Sequence, residues 1–317
     1  MIKKFLLLAI FFVLSSVSGY AASEIAVIVN ITERMDSAQH KDTLEGFKSI
    51  LTERGVSFTT TFYNLAGPKS GDEIISDIAG AGPDLVLPLG TSPTRLAVEN
   101  ITDLPVVFSM VLNPIEHGFV SSLDRPGGNV TGVSLNIPAS EQFSLIKDAV
   151  SGIEKAGVIY DPSISGKVVE SARAAAPGLG IELIEKPISE AGEISGALTS
   201  LRREGAELIW AIPDSTVYSG ASVRQVLLFS LRNAVPVAGF SRSFAEAGAL
   251  IGIYQDYRDI GRQTGEVAVK VIQGQDPGSI PVAFPRKQVF SLNQRVMDNF
   301  GLDVNSGLLE EAEHIFR

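Results

Sequence analysis

Short β-branched runs alternate with longer amphipathic runs along almost the whole chain from Glu24 onward. This alternation is typical of βαβ units, which fold around a parallel sheet. The chain has 317 residues and is 45% apolar, which is enough for one large or two ordinary domains with a sizeable core. The strands predicted in the first part of the chain are Glu24–Asn30, Phe58–Tyr63, Leu85–Leu89 and Val106–Met110.

The same alternation restarts after Arg125-Pro-Gly-Gly and a short predicted strand, Val130–Leu135. Two similar α/β halves therefore follow one another, although no repeated residue string demonstrates a duplication. The strands predicted here are Ala156–Tyr160, Ile181–Lys186, Glu207–Ile212 and Val235–Phe240, and the helices are Ala139–Val150, Lys167–Ala176, Glu193–Glu204 and Val217–Asn233.

The tail of the chain departs from this symmetry. A strand at Ala249–Tyr254 precedes a long amphipathic helix that ends at Gly274, and an extended run at Ile280–Leu292 precedes a helix at Leu308–Ile315. Because part of this tail can return to the first lobe, we expect more than one crossing between lobes, and such crossings act as a hinge. The expected lobes are residues 23–136 with about 246–278 and residues 137–245 with about 279–317, with crossings at Asn136–Ala139 and Phe240–Ala245.

The first residues have the pattern of a secretory signal peptide over residues 1–22. Lys3 and Lys4 precede an apolar run from Phe5 to Leu14, which is shorter than a membrane-spanning helix, and small residues follow. Cleavage is expected after Ala21 or Ala22, and an uncleaved anchor is the alternative. We therefore expect a periplasmic protein.

Cysteine is absent from the sequence, which excludes disulfides, thiolate catalysis, cysteine-based metal sites and a lipid-modified N-terminal cysteine. The protein is thus expected to be free and not lipid-anchored. The formal net charge of −10 becomes −12 when Lys3 and Lys4 are removed with the signal. Because an acidic protein repels phosphates, nucleic acid is not an expected partner.

In open parallel sheets, ligands bind beyond the carboxyl ends of the strands, so the residues just after each strand are the candidates. The predicted ligand-binding residues are Asn30, Thr91, Ser92, Met110, Asn113, Asn136, Tyr160, Asp161, Asp214, Thr216 and Ser241.

The segment Gly90-Thr-Ser-Pro has the residues of a helix start: a turn-forming glycine, a cap at Thr91 or Ser92, and Pro93 at the first helical position. The free N–H groups and the positive end of the helix dipole would then favour an anion such as a carboxylate. An ordinary helix cap that binds nothing is the alternative.

Two further segments offer acidic groups. Asp214 could accept a ligand cation while Thr216 donates a hydrogen bond, and Tyr160 with Asp161 supplies an aromatic edge and a second acid. Each segment also fits an ordinary turn at a helix start. As a pair, the two carboxylates could in principle do acid–base chemistry.

The sequence lacks the usual signatures of an enzyme. The histidines are His40, His117 and His314, whose spacing does not indicate a metal site, and there is no phosphate-binding loop. Gly239-Phe-Ser-Arg-Ser243 matches a nucleophile elbow in its first three positions only. We expect a binding protein, not an enzyme, with no cofactor and no metal.

The chain also resembles a known family, the periplasmic substrate-binding proteins of ABC transporters related to the tryptophan- and tyrosine-binding type. Its most specific shared string is Arg125-Pro-Gly-Gly-Asn-Val-Thr-Gly132. Further matching strings are Leu104-Pro-Val-Val-Phe-Ser-Met-Val-Leu-Asn-Pro-Ile, Gly118-Phe-Val, Tyr160-Asp-Pro162, Asp214-Ser-Thr-Val217 and Gly261-Arg-Gln-Thr-Gly265. The resemblance implies a type I periplasmic binding fold, with two Rossmann-like α/β lobes whose parallel sheets are joined by a multi-strand hinge.

By position, the resemblance places Thr91 and Ser92 against a ligand carboxylate and Asp214 and Thr216 against its amino group. It places Asn136 and Asp161 at the cleft floor. Two departures stand out: the family's Asp-Pro-Val is here Asn113-Pro-Ile, and its Asp-Asn-Thr is here Asp214-Ser-Thr. Either change is compatible with a ligand other than a standard aromatic amino acid.

The function expected from these observations is capture of an amino acid or similar small polar solute for an ABC permease in the inner membrane, by a monomer. A periplasmic sensory subunit that reports to a membrane receptor is the alternative. Neighbouring permease and ATPase genes would favour transport, whereas a neighbouring receptor kinase would favour sensing. The ligand cannot be named from the sequence.

Overall fold

The computed structural model describes residues 22–30 and 38–317. The predicted signal peptide lies outside the described residues except for its last position. Within the described part, no helix is both long enough and apolar enough to cross a bilayer.

The first lobe is built on a five-stranded, all-parallel sheet with the strand order β2-β1-β3-β4-β5. Val27 and Ile28 are both fully buried, although they point to opposite faces, because helices cover the sheet on both sides. The strands are β1 Ser23–Val29, β2 Phe58–Asn64, β3 Leu85–Pro88, β4 Val106–Val111 and β5 Val130–Ser134, and the helices between them are α1 Ala38–Glu53, α2 Gly71–Ala81 and α3 Thr91–Asn100.

The second lobe is built on a seven-stranded sheet with the order β12-β11-β10-β9-β8-β6-β7, in which β10 and β11 are antiparallel and the other neighbours parallel. Its strands are β6 Lys155–Tyr160, β7 Glu182–Pro187, β8 Leu208–Trp210, β9 Val237–Gly239, β10 Ile251–Gln255, β11 Gln288–Asn293 and β12 His314–Phe316. The helices between β5 and β12 are α4 Ala139–Ala149, α5 Pro162–Ala175, α6 Ile194–Arg203, α7 Gly220–Asn233, α8 Arg242–Ala247, α9 Tyr257–Ile272, α10 Gln294–Phe300 and α11 Ser306–Glu311.

Helix α9 follows a strand of the second sheet but packs on the first lobe against α1. Glycines allow the two helices to touch backbone to backbone: a Cβ on Gly46 would lie 2.0 Å from the Arg258 carbonyl oxygen, and one on Gly261 would lie 1.9 Å from the Thr43 carbonyl oxygen. A Cβ on Gly265 would lie 2.9 Å from the Phe47 carbonyl oxygen and 2.9 Å from the Ile50 side chain. The Gly-x-x-x-Gly spacing places both glycines of α9 on the face that packs against α1.

The chain passes between the lobes three times. It leaves the first lobe after β5, returns between β10 and α9, and leaves again after Ala283, whose N–H donates to the Gly132 carbonyl over 3.0 Å. Multiple crossings of this kind suit a hinge, since a few residues absorb the rotation of two rigid bodies.

Parts of the expected lobe assignment are wrong. The strand Ile251–Gln255 belongs to the second sheet, so the crossing expected at Phe240–Ala245 is instead near Asp256. Residues 279–283 run beside the first lobe, where Val282 donates to the Leu123 carbonyl over 2.8 Å. The chain adds β10 to the second sheet before it crosses, and the order of elements alone does not reveal this.

The C-terminal helix is also shorter than predicted. It ends at Glu311, and His314–Phe316 forms β12, which pairs in parallel with β11. The predicted fold class, two α/β lobes with mainly parallel sheets joined by several crossing segments, is confirmed.

Candidate functional site

Two cavities lie on either side of the first crossing, residues 135–138. The cleft cavity has a volume of about 200 Å³ and the rear cavity about 240 Å³. Both are lined by Asn113, Asn136, Ile137 and Val168. The remaining residues of the cleft cavity are Leu112, Leu135, Gln142, Ile212, Pro213, Phe240, Ile253, Gln255 and Tyr257.

The cleft cavity takes its walls from both lobes and from two of the crossings. Leu112 and Tyr257 come from the first lobe, Ile212 and Phe240 from the ends of strands in the second, and Gln255 from the second crossing. No residue lining it carries a formal charge at neutral pH, and its polar groups are amides and one phenol. The cavity therefore suits an uncharged group with a mixed apolar and hydrogen-bonding surface.

Asn113 and Asn136 hold each other at the point where the two cavities meet. The Asn113 backbone N–H donates to Asn136 Oδ1 over 2.8 Å, and Asn136 Nδ2 donates to Asn113 Oδ1. The Ser134 hydroxyl also donates to Asn136 Oδ1, over 2.7 Å. Asn113 has φ of +50° and Met110 has φ of +60°, conformations that non-glycine residues adopt only when their surroundings hold them there. The structure thus brings the predicted residues Asn113 and Asn136 together.

The start of α3 differs from the sequence prediction in its cap. Gly90 is the N-cap, with φ of +96°, and no side chain accepts a hydrogen bond from the first turn. Thr91 and Ser92 are the first helical residues, so the expectation that one of them caps the helix is wrong. Glycine takes the cap position because the chain needs a left-handed turn there. Anion binding at this helix start stays a prediction.

Asp214 is buried at the start of the segment between β8 and α7, where its two oxygens accept four hydrogen bonds. Oδ2 accepts from the Asp161 N–H over 2.8 Å and from the Ser165 hydroxyl over 2.5 Å. Oδ1 accepts from the N–H groups of Thr216 and Val217, over 3.0 and 3.1 Å. The carboxylate is buried and connects the β8–α7 loop to the β6–α5 loop. Its contact with a ligand stays a prediction.

Asp161 belongs to the same network as the N-cap of α5. Its Oδ1 accepts from the N–H and hydroxyl of Ser163, and its Oδ2 accepts from the Thr216 hydroxyl over 2.8 Å. These hydrogen bonds hold the pKa of Asp161 below its usual range, and those from Ser163 have a larger effect than the one from Thr216. Asp161, Asp214 and Thr216 thus lie together, but they do not line either cavity.

The other predicted contacts lie apart from the cleft cavity. Tyr160 is buried against the second-lobe core, and its hydroxyl donates to Glu185 over 3.0 Å. Burial raises the pKa of the Tyr160 hydroxyl, and its hydrogen bond to Glu185 raises it further. Ser241 caps α8 by accepting from the Phe244 N–H, and Asn30 is exposed at the end of β1. Among the described residues, no cluster of three or more potential metal ligands occurs.

Of the residues that line the cleft cavity, sequence reasoning identified only Asn113 and Asn136, and those it missed include Gln142, Val168, Gln255 and Tyr257. Gln255 is the last residue of strand β10 and Tyr257 lies two residues beyond it, so the rule that ligands bind at strand ends would have found them. Gln142 and Val168 lie on helices near the first crossing, and no local pattern marks them. Gln142 accepts from Trp210 Nε1 over 2.9 Å and donates to the Ile137 carbonyl over 2.9 Å, so it is fixed in place.

Comparisons with known proteins agree with the two-lobed fold. The sequence model of a family described as ABC transporter substrate binding protein matches residues 24–316. A tyrosine-binding protein of Clostridioides difficile is 27% identical over 261 residues, which cover 80% of this chain and 75% of that protein.

Two solved structures are similar over nearly the whole chain. An ABC domain from Streptococcus pneumonia in complex with L-Trp is 26% identical, covers 92% of this chain and 100% of its own, and has a TM-score of 0.65. A ligand-free, open substrate-binding protein with adhesive properties from Clostridium difficile is 24% identical, covers 93% and 99%, and has a TM-score of 0.77. The matching family is one of substrate-binding proteins, which confirms the interpretation of this chain as a binding protein and not an enzyme. The chain belongs to the ABC transporter substrate-binding protein family.

Proposed function

We propose that this protein is the solute-binding subunit of an ABC importer and captures an amino acid or similar small polar solute between its lobes. The cleft cavity carries the proposal, because its walls come from both lobes and from the crossings that join them. A solute held there touches both lobes only when they are closed. Binding therefore favours the closed state by as much as the solute's affinity differs between the two states.

The chemistry of the cleft supports a small solute with both polar and apolar parts. Asn113, Asn136 and Gln255 offer amide donors and acceptors, while Leu112 and Ile253 offer apolar surface. The tyrosine-binding relative and the L-Trp complex support an amino acid as the solute. The proposed partner is a permease in the inner membrane, and the proposed form is a periplasmic monomer.

A thermal-shift screen tests the proposal. A solute that binds only the folded protein stabilises it by about 2.7 kcal/mol when present at a hundred times its Kd. The screen should contain standard and non-standard amino acids, dipeptides and small carboxylates, with each hit repeated by calorimetry. The absence of any shift across this set would contradict solute capture.

Two further measurements address closure and transport. Small-angle scattering should give a smaller radius of gyration at saturating solute than without it, and unchanged curves would argue against closure. In cells, deletion of the gene should abolish uptake of the radiolabelled solute, and re-expression should restore it. Normal uptake in the deletion strain, with loss of a transcriptional response to the solute, would favour a sensory role instead.

A further inference from the structure

Strand β2 forms an open edge of the first-lobe sheet. It pairs with β1 on one side, and no described residue pairs with its other side. Just outside its ends, the Ser57 carbonyl accepts from β1 and the Leu65 N–H donates to β1, so the backbone groups of odd-numbered residues face β1. The N–H and C=O groups of Phe58, Thr60 and Phe62 therefore point away from the sheet.

The other edge strands of the described structure are covered, charged or short. Residues 280–283 cover the outer side of β5, where the Ser134 N–H donates to the Ala283 carbonyl over 2.9 Å. Strand β7 contains three charged residues and ends at Pro187, features that keep an edge strand from pairing with another chain. Strand β12 has three residues. Strand β2 instead has seven residues, none of them charged and none of them proline.

Apolar surface is exposed at this edge. Phe62 is 49% exposed, the largest fraction among the large apolar side chains of the described residues. Lys48 Nζ lies 5.4 Å from its ring centroid, which places the ring on the side of the sheet that α1 covers. Phe58 lies on the same side, because alternate residues of a strand share a face, and it packs partly against the first-lobe core. Exposed aromatic surface and unpaired backbone groups thus lie together.

The sequence of this strand is complementary to itself. It is the same in both directions from Thr60, as Phe58-Thr-Thr-Thr-Phe62. In an antiparallel pair of two copies centred on Thr60, Phe58 lies opposite Phe62 of the other copy, and Thr59 lies opposite Thr61. Aromatic pairs and threonine pairs across strands are both stabilising. The outward N–H and C=O groups also lie opposite one another in this register, so they can bond to each other.

We propose that the partner at this edge is a second copy of this chain, which pairs through its own β2 and joins the two first-lobe sheets across a two-fold axis at Thr60. Symmetric contact of one surface with itself is the commonest form of association between identical chains. The self-complementary sequence favours this partner over a strand of another protein.

This association goes beyond the proposed function and leaves the cleft accessible. Strand β2 lies four strands from β5 in the sheet, about 19 Å away. The cleft cavity lies beyond the ends of β4 and β5, and no residue of β2 lines it. The monomer remains the unit that captures solute, and pairing through β2 is a concentration-dependent property of the first lobe.

Sedimentation velocity of the purified protein tests the association. Between about 1 μM and about 1 mM, the weight-average mass should rise from that of the monomer towards twice that value, as mass action requires. A monomer mass over the whole range would overturn the inference and leave the proposed monomer as the only form.

Charged replacements at Thr60 test the register. Thr60→Lys places two like charges opposite each other across the axis, and Thr60→Glu does the same, so each variant alone should dimerise about 3- to 10-fold more weakly than the wild type. An equimolar mixture of the two variants places opposite charges there and should restore dimerisation. A mixture that dimerises no better than the separate variants would overturn pairing at Thr60.

The matched control is Thr59→Lys, in the same strand. Thr59 is exposed on the other face of the sheet and would lie opposite an uncharged threonine, so this change should weaken dimerisation less than Thr60→Lys does. Unfolding curves establish that each variant is folded, and Phe62→Lys, at an exposed position, replaces Thr60→Lys if that variant does not fold. Dimers that none of these changes weakens would form through another surface, and the inference would be wrong.

Solute binding separates this inference from the proposed function. Each folded variant should bind the solute with the affinity of the wild type, because β2 does not line the cleft cavity. If the protein captures no solute but still pairs through β2, the proposed function fails and the inference stands. If it captures solute and stays monomeric, the proposed function stands and the inference fails.

Discussion

The two lobes use the polar residues at the ends of their strands in different ways. In the first lobe, α3 begins at Gly90 without a side-chain cap, and the side chains of Asn113 and Asn136 reach the cavities. In the second lobe, the oxygens of Asp161 and Asp214 accept hydrogen bonds from neighbouring loops. A polar residue after a strand thus lines a cavity or connects neighbouring loops, according to the donors around it.

Two glycine contacts, one in each lobe, differ in the atoms that lie opposite the glycine. In the first lobe, α9 meets α1 through glycines whose nearest neighbours are backbone atoms. In the second lobe, a Cβ on Gly157 would meet the methyl groups of Leu201, at 2.7 and 2.9 Å. A leucine side chain can rotate, whereas a helix backbone cannot move without its whole helix. The contact between α1 and α9 should therefore tolerate added volume less well than the contact at Gly157.

Replacement of Gly261 by alanine should have the largest effect on stability. The new Cβ would lie 1.9 Å from the Thr43 carbonyl oxygen, so α9 must move away from α1. We expect a loss of about 3 kcal/mol or more in the free energy of unfolding, measured by urea denaturation. The Gly157→Ala variant should lose less free energy of unfolding, because the Leu201 side chain can rotate away from the new Cβ.

The matched control is Gly80→Ala in α2, where nothing lies within 4 Å of the added Cβ. That variant should gain about 0.5–1 kcal/mol, because alanine favours a helix interior over glycine. Equal losses in the Gly261 and Gly157 variants would contradict the difference between these two contacts.

Replacement of Asp214 by alanine should have the next largest effect. Four donors lose their acceptor in a buried setting, and the expected loss is roughly 3 kcal/mol in the free energy of unfolding. The control is Asp84→Ala in the first lobe, where an exposed carboxylate accepts one bond from the Glu24 N–H and the loss should stay below about 1 kcal/mol.

Solute binding by the Asp214 variant sharpens this comparison. If the carboxylate also holds a solute ammonium, as the sequence predicts, binding weakens at temperatures where the variant is folded. Unchanged affinity for the solute with reduced stability would show that Asp214 only connects the two loops and does not contact the solute. Unchanged stability would contradict the hydrogen-bond network as the reason for its burial.

The smallest expected effect is a difference in acid sensitivity between two surface ion pairs. Hydrogen bonding to Arg173 lowers the pKa of Glu185 in the second lobe, and Arg262 does the same for Glu53 in the first. A lowered pKa in the folded state adds stability above the ordinary value of 4.5, and this stability is lost as the pH falls through the folded-state pKa.

The two pairs differ in exposure, since the Glu185 side chain is 20% exposed and that of Glu53 is 52% exposed. Solvent screens the more exposed pair more strongly. Glu185→Gln should therefore flatten the fall of unfolding free energy below pH 4.5 more than Glu53→Gln does. Denaturation curves from pH 3 to 7 measure this, and a larger effect at Glu53 would contradict it.

Much of the fold could be predicted, because up to β9 the apolar spacing of each segment indicates its strand or helix. Up to that point the chain also builds one sheet and then the other, so the position of a strand in the sequence indicates its lobe. The prediction failed where distant pairing decides the structure. The apolar spacing near Leu308 favours a helix, but His314–Phe316 gains hydrogen bonds at the edge of β11 and becomes a strand. Likewise, nothing local in Ile251–Gln255 shows that it joins the second sheet and not the first.

The site could be predicted only in part, because a residue's position after a strand does not reveal its partners. Asn113 and Asn136 were identified from such positions and do line the cavities. Asp214 was identified by the same rule, but its acceptor capacity is taken up by residues from two loops. Tyr257 was absent from the prediction because its segment was interpreted through its helical face alone.

The pairing of α1 with α9 has a consequence for the order in which the chain can fold. The hydrogen bond between Arg262 and Ser49 joins residues 213 positions apart, with most of the second sheet between them in the chain. During synthesis, the face of α1 that contains Gly46 has no partner until α9, which follows β10, has been made. The first lobe therefore cannot finish folding before most of the second, contrary to the usual order in which N-terminal units fold first. A fragment that stops at β5 would expose that face, so truncation there should not yield a stable first lobe.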